Sequence, residues 1–80
     1  MNKHILLVMK WLNDKDSVSQ EELEKNKAYV AADTEANLID AYNAADAATA
    51  HAAYGATYWV NKYFKRTGED RAQYEKELNK

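Results

Sequence analysis

The sequence predicts an all-α protein, and three observations carry that prediction. The 80 residues include no proline and only two glycines, Gly55 and Gly68, so almost nothing punctuates the chain. The residues between them are mainly good helix formers, with Ala filling 14 of the 37 hydrophobic positions. Apolar residues recur at helical spacing rather than in alternation. The length allows one domain, residues 1–80, and the shortage of large apolar side chains leaves that domain in need of further support.

The first expected helix covers about residues 2 to 13. It places Ile5, Val8, Met9 and Leu12 on one side and Leu7 and Trp11 on another, with a narrow polar strip at Lys3 and Lys10. Such a helix needs cover on more than one side. Its apolar run stops at Lys10, short of a secretory signal peptide, and no stretch approaches the roughly 20 apolar residues of a membrane span. The expectation is a mature, soluble, intracellular chain that does not enter a membrane.

A second helix should begin at VSQEEL, residues 18 to 23. Ser19 can cap the first turn while Glu22 reaches back to the Ser19 amide, and Val18 and Leu23 occupy the paired apolar positions of a hydrophobic staple. KRTG marks an end: Lys65 and Arg66 complement the negative pole of the helix, and Gly68 can adopt a left-handed conformation. TGED then opens a short C-terminal helix, with Thr67 and Asp70 in capping-box spacing and Tyr74 and Leu78 one turn apart.

Between Gln20 and Arg66 no Gly-Pro signal divides the chain, and Asp33-Thr34 is the most plausible break. A rotation of 100° per residue across that point keeps a continuous stripe of Ala31, Leu38, Ala41, Tyr42, Ala45, Thr49, Ala52, Ala53, Ala56, Trp59, Val60 and Tyr63. The expectation is therefore one long central helix, either continuous and on the order of 70 Å in length or kinked near Asp33. Its middle is a waist of small residues, Ala45, Thr49, Ala52 and Ala56. Close backbone approach there predicts a helical bundle completed by self-association, a homodimer or higher oligomer.

The opposite face carries Asp33, Asn37, Asp40, Ala44, Ala47, His51, Tyr54, Tyr58, Lys62 and Lys65. Solvent-facing helix positions do not require two tyrosines one turn apart. Either Tyr54 and Tyr58 pack beneath the first or last helix, or they anchor a partner, with His51 and Lys62 beside them.

Catalytic and metal chemistry find little support. There is no cysteine, and His4 and His51 are far apart in the chain. Glu35 and Asp46 would stand about 16 Å apart along a helix, too far for a paired general acid and base. No Glu-x-x-His pair suggests a di-iron bundle. The net charge of −2 disfavours general binding of nucleic acid, although NKYFKR, residues 61 to 66, mixes cations with aromatics that can grip a phosphate or a stacked base.

The opening ILLVMKWLNDKDSVSQEELEKN, the Ala/Asp/Tyr-rich centre and the closing YWVNKYFKRTGEDRAQYEKEL together resemble the short alanine-rich orphan proteins of large tailed bacteriophages. That resemblance implies a viral accessory protein of the bacterial host cytoplasm that binds and redirects or inhibits a host or defence factor. It supplies no functional residues. The function expected is noncatalytic protein binding by steric occlusion, without cofactor or metal. The alternatives are a self-assembling structural helix module and a small nucleotide-sequestering protein using Tyr54, Tyr58, Lys62 or Lys65.

Overall fold

The computed structural model describes residues 1–33 and 39–80. Among them stand five α-helices, α1 (Lys3–Asn13), α2 (Gln20–Ala32), α3 (Ile39–Thr49), α4 (Ala53–Thr67) and α5 (Arg71–Leu78), with a 3-10 turn at Lys15–Ser17 and no strand. Leu38, Asn37, Glu35 and the Thr34 side of the expected break lie outside the described residues.

The local capping chemistry explains most boundaries. Asn2 caps α1, its Oδ1 accepting from the backbone amides of His4 and Ile5 at 2.9 and 3.1 Å. Ser19 caps α2 in a full capping box, and its staple residues Val18 and Leu23 are both buried. Gly68 ends α4 at φ 73°, the left-handed conformation expected of it. One assignment changes: the cap of α5 is Asp70, which accepts from the Ala72 amide, while the Thr67 hydroxyl bonds back to the Tyr63 carbonyl.

The central segment is not a single rod. It is broken after α2 and again between α3 and α4, so a rod on the order of 70 Å gives way to a body of 28 × 28 × 21 Å. The reversal at Ala50, His51 and Ala52 has a definite mechanism. His51 adopts φ 58°, its amide donates to the Ala48 carbonyl at 2.9 Å, and the Ala52 amide donates to the Ala47 carbonyl at 2.8 Å. These two bonds satisfy the last carbonyls of α3 in the pattern usual for a glycine in that position. The Gln20 side chain holds the turn from α2: its amide donates to the Thr49 carbonyl at 2.9 Å while its carbonyl oxygen accepts from His51 Nε2. The Trp11 ring packs 5.9 Å from the imidazole.

With the chain reversed, α4 lies back along α3, and α1 packs against α2, α3, α4 and α5. The core joins Ile5, Val8, Met9 and Trp11 of α1 to Ala41, Ala44, Ala45 and Ala48 of α3 and to Ala56, Val60 and Tyr63 of α4. The small residues serve the close approach within the chain. Ala45 and Ala56 are buried in a single copy, and the half-buried Thr49 donates its hydroxyl to the Leu23 and Ala45 carbonyls. Of the waist expected to meet a second copy, only Ala52 is exposed, because it sits in the turn rather than on a helix face. Asp40 and Ala44, placed outside by the continuous rotation, are buried.

Side-chain bonds lock the outer helices. The Asn26 amide donates to the His4 carbonyl at 3.2 Å and its oxygen accepts from His4 Nδ1 at 3.0 Å, joining α2 to α1. Glu69 accepts from the hydroxyls of Tyr63 and Tyr74, and the Asn2 amide donates to the Tyr74 oxygen at 2.7 Å. One carboxylate thus ties α4, α5 and the start of α1. Among the described residues no helix is long and apolar enough to cross a membrane.

Candidate interaction surface

Helix α4 buries Ala56, Val60 and Tyr63, and this orientation turns the opposite flank to solvent. Tyr54 is 93% exposed and Tyr58 45%, and with Thr57 and Asn61 they line a shallow groove. The spacing of four residues brings the two rings onto adjacent turns. Tyr58 is further organised by its neighbours: Trp59 packs at 5.0 Å between ring centroids, and Lys62 Nζ stands 5.6 Å from the Tyr58 centroid. That cation–ring contact restrains the tyrosine that forms one wall of the groove.

The polar lining is partly committed within the chain. Thr57 donates its hydroxyl to the Ala53 carbonyl at 2.9 Å, and Asn61 accepts from Arg71 at 2.6 Å. The Arg71 contact fixes the amide, so its nitrogen is held at the groove edge as a donor. Two phenol hydroxyls and two ring faces complete the inventory. Chemically, this surface can bury aromatic area and exchange hydrogen bonds at little cost in rotamer freedom.

The electrostatics of α4 contrast with the chain as a whole. Between Ala53 and Thr67 there is no acidic residue, and Lys62, Lys65 and Arg66 cluster toward its end, whereas the protein carries a net charge of −2. Arg66 is engaged by Asp40 at 2.8 Å, so Lys62 and Lys65 provide the outward-facing charge.

The fold brings Tyr54, Tyr58 and Lys62 together on α4. It places His51 elsewhere: the imidazole belongs to the turn before α4, committed to Gln20 and Trp11, and does not line the groove. The chain matches no family model, curated protein or solved structure. The groove must therefore be read from its own chemistry. Among the described residues no three His, Cys, Asp or Glu side chains gather as a metal site requires.

Thr57 and Asn61 were not singled out by the sequence pattern, although their positions three residues beyond Tyr54 and Tyr58 would have included them on the same face. The burial of Asp40 had no local signal. It depends on α4 returning along α3 and bringing Arg66 to it.

Proposed function

We propose that this protein is a noncatalytic helical binding protein whose α4 face engages a macromolecular partner, a phage accessory factor that occludes a host or defence protein in the bacterial cytoplasm. The exposure of Tyr54 beside Tyr58 carries the binding reading. A large ring left 93% exposed contributes little to folding, yet on contact it offers a rigid anchor of some 150–250 Å². The viral setting rests on the resemblance in the opening, central and closing segments.

The test separates folding from binding. The double variant Tyr54→Ala/Tyr58→Ala should keep its helicity and melting temperature, and a partner captured from infected cells by the unaltered protein should be lost. Unfolding of the variant, or undiminished capture, overturns the reading.

The cation cluster favours a second reading, sequestration of an anionic aromatic ligand such as a nucleotide by Tyr54, Tyr58, Lys62 and Lys65. Trp59 beside Tyr58 is the reporter: saturable nucleotide-dependent quenching that is lost in Lys62→Ala would select this reading over protein occlusion.

A further inference from the structure

A different surface lies over α1. Its residues Lys3, Leu6, Leu7 and Lys10 occupy one face at the spacing of successive turns, opposite Ile5 and Val8 in the core. Leu6 and Leu7 are only half-buried, while Lys3 and Lys10 are exposed. Two grooves run beside them and share Leu7. One is formed with α5, where Leu78 continues the apolar floor; the other is formed with α2, where Tyr29 is 64% exposed. Meeting at Leu7, the two grooves form a valley on either side of α1, one toward α5 and the other toward α2.

The charges along this valley are unequal. On its two sides, Lys25 pairs with Glu21 at 3.1 Å, Lys80 pairs with Glu77 at 3.0 Å, and Glu22 is bound into the Ser19 cap. Among the described residues no ion pair holds Lys3 or Lys10. An acidic protein therefore presents two exposed cations without a direct ion pair, two helical turns or about 10 Å apart, on either side of a leucine pair, Lys10 feeling the Glu22 carboxylate only at longer range.

We infer that the valley over α1 docks an amphipathic helix of a partner protein, which sets apolar side chains on Leu6 and Leu7 and carboxylates two turns apart against Lys3 and Lys10. The grooves between neighbouring helices accept the side-chain ridge of another helix by ridge-and-groove packing. The unpaired lysines select the acidic partner and set its register. This surface is independent of the α4 tyrosines.

The experiment titrates the isotope-labelled full chain with a synthetic helix of about four turns that bears leucines on one stripe and glutamates flanking it two turns apart. Saturable amide shifts are expected at Lys3, Leu6, Leu7, Lys10, Tyr29 and Leu78. Lys3→Glu/Lys10→Glu should weaken binding at least about tenfold at unchanged melting temperature, and a lysine-flanked version of the peptide should bind this variant instead. If charge reversal lowers the melting temperature, Lys3→Gln/Lys10→Gln provides the same comparison without repulsion. Equal binding of both peptides to the unaltered protein overturns the inference, as does an absence of shifts in the valley. So does occupation of the same residues by anionic phosphatidylglycerol vesicles or by a second copy of the chain in place of the peptide.

Discussion

Arg66 Nε stands 2.8 Å from Oδ2 of Asp40, whose side chain is only 1% exposed. The contact joins the last turn of α4 to the first turn of α3 and fixes how far the two helices run past one another. Neither Asp40 oxygen has a well-aligned hydrogen-bond donor among the described residues, so the guanidinium charge is the main compensation for a buried carboxylate.

Arg66→Ala should accordingly destabilise the fold by about 2 kcal/mol, a value discounted because the arginine is itself half exposed. Lys65→Ala, an exposed neighbour outside any ion pair among the described residues, is the control and should change the urea midpoint little.

His51 carries the left-handed conformation of the α3–α4 turn. His51→Val should destabilise by about 2 kcal/mol, because a β-branched residue resists positive φ and the bond to Gln20 and the ring contact with Trp11 are both lost. His51→Asn, which tolerates positive φ, should retain more of the stability. Chemical denaturation of the pair checks the order.

The alanine packing predicts a contrast between two residues four apart in sequence. Ala48→Leu should cost about 1–3 kcal/mol by overpacking the fully buried face of α3. Ala52→Leu, in the exposed turn, should be tolerated within about 0.5 kcal/mol. Equal melting temperatures for the two variants would contradict the α3–α4 packing.

Ser19→Ala should lose about 1 kcal/mol, because the Glu22 amide that bonds to Ser19 Oγ at 3.1 Å is left without its cap. Glu22→Gln keeps a reciprocal acceptor and should lose less. Thermal unfolding followed by circular dichroism measures both.

Glu69 predicts the response to acid. Partial burial acts to raise its pKa, but the hydroxyls of Tyr63 and Tyr74 prevail and hold the carboxyl below its ordinary value of 4.5. Because the folded pKa is depressed, its contribution is present above the unfolded value and is lost as pH falls below about 4.5 through the folded value. Tyr63 and Tyr74 shift the other way: burial, reinforced by the bond to Glu69, raises both above the ordinary 10.0. Their contribution is complete below that value and is lost as pH rises beyond it. Glu69→Gln should flatten the acid limb of stability against pH, measured as the urea midpoint between about pH 3 and 6.

The sequence by itself determined the helical class and those helix ends whose chemistry is local. Ser19 and Glu22 satisfy the first amides of α2 within three residues of one another, and Gly68 relieves the end of α4 because it lacks a Cβ. It also separated Ala56, Val60 and Tyr63 from Tyr54 and Tyr58 onto opposite flanks of α4, while the exposure of the tyrosine flank was decided by where α1 and α5 pack. The reversal between α3 and α4 was decided by tertiary structure. Ala50-His51-Ala52 contains no glycine or proline, and its left-handed residue is held by Gln20 and Trp11, which are distant in the chain. A rotation carried through that turn assigns Ala52 inward and Asp40 outward, because helical periodicity holds only while the helix continues. The burial of Asp40, the filling of the alanine waist from within one chain and the separation of His51 from Tyr54 and Tyr58 all follow from contacts that exist only once α4 has folded back.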